Sequence, residues 1–133
     1  MNVTFFDRDD AENCLNGTVI YDNSRLYEIL TLQSTQNRLP FFCELIGENE
    51  FCLLVGVGKI GCAQYSRCDG EIPYLMAVSN ERSSQGGCNE FLIAGIATPV
   101  RAQFCMSFHV VLEIATFFRE TGGAYPAISW KEI

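Results

Sequence analysis

Between Ser107 and Thr121 almost every position is apolar, and the exceptions recur every three or four residues. His109, Glu113, Thr116 and Glu120 form one narrow polar stripe, while Phe108, Val110, Val111, Leu112, Ile114, Ala115, Phe117 and Phe118 fill the rest of the surface. That period predicts a helix, and so wide an apolar surface predicts that it lies across a sheet with only the stripe wet. Gly122-Gly123 supplies a left-handed stop that a side chain would resist. Pro126 keeps the helix from resuming. Ile128 and Trp130 then alternate with Ser129 and Lys131, as a half-buried strand does. The chain therefore ends as a helix folded back onto a sheet edge.

Upstream, Leu26, Ile29 and Leu30 mark one face of an earlier helix running to about Gln33, with Asp22-Asn23-Ser24 as its caps. Asn37 to Pro40 end it. Strand patterns fall at residues 18–21, 41–46, 51–57, 62–66, 72–78 and 91–94, and residues 3–6 fit a short strand or an ordered arm. Gly47-Glu48-Asn49-Glu50 is a polar turn, and Asp69-Gly70 is a strong hairpin dipeptide. Residues 80–89 form a polar, Gly-rich loop, and Thr98-Pro99 opens an irregular approach to the last helix. This order predicts an α+β fold: a mostly antiparallel sheet of about five to six strands, packed by an N-terminal and a C-terminal helix. At 133 residues and 48% hydrophobic content, the chain suits a single domain, 1–133, with one interior.

Charge changes the picture. Asp and Glu outnumber Lys and Arg by 16 to 9, a net charge of −7. That sign disfavours direct nucleic-acid binding, which draws on Lys and Arg. It suits a basic protein partner as well as it suits mere solubility. The opening MNVTFFDRDD has neither a basic region nor an apolar run, so no signal peptide is expected. No apolar stretch is long enough to span a bilayer. The chain has seven cysteines, an odd number at irregular spacings. Free cytosolic thiols, most of them buried as small hydrophobes, are the expected state.

Several patterns suggest chemistry and fail on context. Gly56-Val57-Gly58-Lys59-Ile60-Gly61 fits GxGxxG after an apolar strand. A dinucleotide site needs a helix next, yet Cys62-Ala63-Gln64-Tyr65-Ser66 reads as strand, so a glycine-built turn or bulge is expected. No C-x-x-C pair exists and the single histidine is remote from Cys62 and Cys68, so no zinc site is expected. A Cys105–His109 nucleophile pair is conceivable at a helix start. The solvated position of His109, four residues from Glu113, favours a surface ion pair instead. No cofactor and no enzymatic activity are expected.

Phe117-Phe118, Thr121-Gly122, Pro126 and Trp130 together resemble the closing signature of the deaminase-neutralising immunity proteins of bacterial polymorphic toxin systems. Residues 51–78 resemble that family's central hairpin, and residues 89–100 its next strand and Pro-led approach to the helix. Gly123 is one residue more than the pattern has, and Ala124-Tyr125 stand where polar residues are common. The resemblance implies a cytoplasmic protein of interbacterial competition. Such a protein binds a cognate toxin, a nucleic-acid (cytosine) deaminase, and occludes its basic substrate groove without chemistry of its own. The signature residues Phe117, Phe118, Gly122, Pro126 and Trp130 mark the fold; Trp130 is expected as a core anchor. The expected toxin contacts are three acidic groups: Asp7, Asp9, Asp10 and Glu12 in a solvated turn; Glu44, Glu48 and Glu50 around a second turn; and Asp69 and Glu71 with Tyr65 and Tyr74. The alternative is a non-enzymatic small-ligand-binding or scaffold module of the same fold class.

Overall fold

The computed structural model describes residues 1–80 and 86–133. The chain runs β1 (Val3–Asp7), β2 (Thr18–Ile20), α1 (Asn23–Ser34), β3 (Phe41–Gly47), β4 (Phe51–Val57), β5 (Cys62–Arg67) and β6 (Tyr74–Val78). It continues with β7 (Cys88–Ile93), β8 (Ile96–Arg101), a 3-10 turn (Ala102–Phe104), α2 (Phe108–Thr121) and β9 (Ser129–Glu132). The architecture is α+β, with the two helices packed on a mostly antiparallel sheet. Its main path is β2-β1-β3-β4-β5-β6-β9, and the β7–β8 hairpin joins β3 through a parallel bridge from Phe41 to Leu92.

The sheet has nine strands among the described residues, in place of the five to six expected. The largest departure is β8, which occupies the segment read as an irregular approach. Pro99 lies on it, and a proline is tolerated there because β8 pairs with β7 alone and needs no donor on its other side. The turn that sets up this hairpin is Ala94-Gly95, both with positive φ, 50° and 78°, as a two-residue hairpin of primed type requires. Part of the predicted 80–89 loop lies outside the described residues.

Period-two alternation divides the interior in two. Val3, Phe5, Cys43, Leu45, Leu53, Val55, Ala63 and Ala77 face the helices. They meet Leu26, Ile29 and Leu30 of α1 and Val111, Ile114, Ala115 and Phe118 of α2. On the opposite face Phe42, Cys62 and Met76 pack with Phe91, Val100, Phe104 and Cys105 beneath the β7–β8 hairpin. Gly56 belongs to this second face: a Cβ there would stand 2.5 Å from the Phe91 ring. The GxGxxG run is thus the bend between β4 and β5 plus a site of close packing, and β5 follows where a nucleotide site would need a helix.

Phe117, Phe118, Gly122 and Trp130 all take part in packing or hydrogen bonding around the end of α2. Gly122 ends α2 at φ 76°, its N–H donating to the Phe118 carbonyl. Its own carbonyl accepts from Asn49 Nδ2 at 2.9 Å and from the Tyr65 hydroxyl at 3.1 Å. Phe118 is fully buried, Phe117 packs against Tyr125, and the Trp130 indole donates to the Tyr125 carbonyl at 2.8 Å. Gly122→Ala is expected to cost about 2 kcal/mol, combining a left-handed residue with a Cβ and the displacement of Asn49. Urea denaturation checks it; a loss below about 0.5 kcal/mol would contradict this role.

The cysteine expectation needs correction. Cys52 and Cys68 form a disulfide with Cα atoms 5.5 Å apart. Strand register explains it. Phe51 lies opposite Arg67, and the Cys68 N–H donates to the Glu50 carbonyl at 2.8 Å, folding Cys68 back beside β4. Cys43, Cys62 and Cys105 are free and buried, and Cys14 and Cys88 are free and exposed.

Candidate functional site

The β4–β5 hairpin brings two of the three acidic groups together. Because Phe51 pairs with Arg67, the β3–β4 turn (48–50) and the β5–β6 loop (68–73) emerge side by side at one end of the sheet. Glu48 and Glu50 project from the first, Asp69 and Glu71 from the second, and all four are exposed. Arg67 stands among them. Its guanidinium bonds Asp69 at 2.6 Å, and the carboxylates of Asp69, Glu50 and Glu71 all hold its proton more tightly. The hydrogen bond from Arg67 in turn lowers the Asp69 pKa. Ile72, an apolar side chain 72% exposed, sits beside them. An acidic rim with an exposed apolar residue suits a basic protein surface better than a small solute.

This end is held firmly. The disulfide ties its two loops, and the Asn49 and Tyr65 bonds to Gly122 dock it on the end of α2. The Tyr74 hydroxyl donates to the Gly70 carbonyl at 2.7 Å, closing the β5–β6 loop. Glu50 adopts φ 69°, a left-handed conformation in which glycine or asparagine is the ordinary occupant. A carboxylate residue kept there is a local cost of the kind that collects at functional positions.

The remaining predicted contacts are placed elsewhere. β1 runs from Val3, opposite Gly47, to Asp7, opposite Cys43, so the first acidic group lies at the other end of the sheet. It is not a simple solvated turn. Asp7 is buried. Its carboxylate accepts from Asn13 Nδ2 and Arg38 Nη1, both at 3.0 Å, and from the N–H groups of Asp9 and Asp10, both at 2.8 Å. Burial alone would raise its pKa, but these bonds outweigh burial and hold it below the ordinary value. Asp9 pairs with Arg38 at 2.9 Å and accepts from the Gly95 N–H at 2.8 Å, bracing the β7–β8 turn. Asp7 and Asp9 thus serve the fold, and of this group Asp10 and Glu12 stay exposed. Glu44 is a β3 residue paired with Arg8, not part of the Glu48–Glu50 turn. Tyr65 is committed to the interior: its ring stacks on Phe51 and its hydroxyl holds Gly122.

The other chemical candidates are also located. The Cys105 thiol is buried and donates to backbone carbonyls of Val100 and Arg101, and burial raises its pKa away from the thiolate. His109 Nδ1 lies 3.0 Å from the Ser107 hydroxyl, which replaces the expected pairing with Glu113. Among the described residues no group of three or more His, Cys, Asp or Glu is placed to hold a metal ion, and no helix is long and apolar enough to cross a membrane.

Two features of the acidic end escape a linear reading. Arg67 is a lone charge until register surrounds it with Glu50, Asp69 and Glu71, and Ile72 reads as the start of a strand that begins at Tyr74. No protein-family model matches this chain, and no curated protein sequence matches it.

Proposed function

We propose that this protein is a binding inhibitor: an immunity protein that neutralises a cognate bacterial toxin by seating its acidic end in a basic substrate groove. The supporting observation is the convergence of Glu48, Glu50, Asp69 and Glu71 on one braced end with Ile72 exposed among them. The C-terminal resemblance supplies the toxin class, a nucleic-acid (cytosine) deaminase. Such an enzyme must admit a polyanion to a pocket where the base is processed. An acidic body over that entrance excludes substrate by competition for the same cations. Steering by opposite charge speeds the encounter, and the packed centre around Ile72 and Tyr74 slows escape. In the cytoplasm, where such a toxin would be met, Cys52 and Cys68 would be held reduced; the Cys68–Glu50 backbone bond still ties the two loops.

Glu50 offers the discriminating experiment. Glu50→Gly relieves the left-handed residue, so stability is expected to hold or rise by about 0.5 kcal/mol. Association with the proposed cognate toxin is expected to slow about threefold through the lost charge. Thermal melts and stopped-flow association measure both. Unchanged association would remove Glu50 from the contact, and failure of the two wild-type proteins to associate at all would sink the inhibitor reading.

A further inference from the structure

On the sheet face away from the helices, the β7–β8 hairpin covers only part of β4 to β6. An open cleft of about 470 Å³ remains between β8, the 3-10 turn and the β6–β9 pair. Its floor is apolar: Phe42, Met76, Val100 and Phe104 are each partly reachable there. Its walls carry two cations, Arg101 and Lys131, and one carboxylate, Glu132. We propose that this cleft binds a small organic monoanion with an apolar body, of the alkyl or aryl carboxylate class. The proposal does not rest on the inhibitor reading.

The charges make the argument. This chain is acidic overall, and it engages most of its cations. Arg8, Arg25, Arg38 and Arg67 are ion-paired, and Arg119 donates to Asn23 and to the Met1 and Tyr21 carbonyls. Among the described residues Lys59, Arg101 and Lys131 have no such partner, and of these Arg101 and Lys131 line the same apolar cleft. Strand alternation aims Lys131 there: Trp130 packs into the main core, so its neighbour turns to the other face, opposite Met76. Glu132 borders the same wall, so the cleft's side chains carry two cations against one carboxylate, a net single positive charge.

The occupant follows from what each part of the cleft requires. Phosphate or sulfate alone would satisfy the cations and leave the floor wet. A neutral hydrocarbon would cover the floor and leave both cations unanswered. A carboxylate joined to an alkyl or aryl body meets both demands. The volume lies in the range of roughly 300–1,000 Å³ typical of small-ligand sites.

The test uses the full chain, 8-anilino-1-naphthalenesulfonate as fluorescent probe and decanoate as competitor. The expected result is one saturable site from which decanoate displaces the probe and decanol does not. Arg101→Ala and Lys131→Ala are each expected to weaken decanoate about fivefold, and Lys59→Ala, a cation outside the cleft, is expected to have no effect. Both cleft residues are exposed, so thermal melts of the variants should match the parent. Absence of saturable binding, equal competition by decanol, or affinity indifferent to both cleft substitutions would each overturn the proposal. So would saturable binding of an acidic peptide with none of decanoate, which would assign the cleft to a protein partner.

Discussion

Asp7→Ala is expected to destabilise the protein by about 3–5 kcal/mol, a large share of the roughly 5–15 kcal/mol that holds a domain of this kind folded. The carboxylate is buried and answers four donors at once: Asn13, Arg38 and the N–H groups of Asp9 and Asp10. Removing it leaves Arg38 half-sequestered over the Phe41 ring, 3.4 Å from its centroid, with only Asp9 as a carboxylate partner. Two backbone N–H groups also lose their acceptor. Because Asp7 and Arg38 act as a unit, Asp7→Ala combined with Arg38→Ala should cost at least about 1 kcal/mol less than the two single losses added. Denaturant titrations of the four proteins provide the cycle; a single-mutant loss below about 1 kcal/mol would remove Asp7 from the list of structural keystones.

The same residue predicts a pH dependence. Its folded pKa is depressed below the ordinary 3.8. The stability it contributes is therefore complete above that ordinary value and is lost as pH falls through the folded one. Wild-type stability should decline with acid in that window, and Asp7→Asn, weaker throughout, should show less of that decline.

Reversing the acidic end is expected to have the largest functional effect. Replacing Glu48, Glu50, Asp69 and Glu71 together by Lys should slow association with a basic-grooved toxin about 100-fold at low salt. The four side chains are exposed, so folding stability should move by no more than about 1 kcal/mol. Raising the salt should slow wild-type association and narrow the gap between the two proteins, because screening acts on charge steering. A comparable reversal of Asp10 and Glu12, at the far end of the sheet, should change association little. If the far-end reversal were the damaging one, the site assignment would be wrong.

Local patterns carried much of this fold. The stripe of α2 and its Gly122 stop were legible because helix period and left-handed termination are short-range properties. Asp7 was legible in principle: it continues the buried positions Val3 and Phe5 on one pleat of β1. Its charge and its acidic neighbours argued for solvent, and the partner that reverses the argument, Arg38, lies far along the chain. β8 was hidden for two reasons. Pro99 argues against a strand until the strand is known to be an edge, and Ala94-Gly95 lacks the Asn or Asp that announces a primed turn; its Gly95 N–H is held by Asp9 from outside the hairpin. The Cys52–Cys68 bridge and the gathering around Arg67 both depend on the register of β4 against β5, which no linear spacing encodes. Composition revealed that the chain was acidic, and only pairing showed which acids stand together.

The most direct test is a titration of this protein into the proposed cognate deaminase toxin, following base conversion on a single-stranded substrate. The account predicts that activity falls in proportion to added protein and reaches background at one equivalent, while the four-lysine variant inhibits weakly. Deaminase activity that persists undiminished in a large excess of the wild-type protein would contradict it.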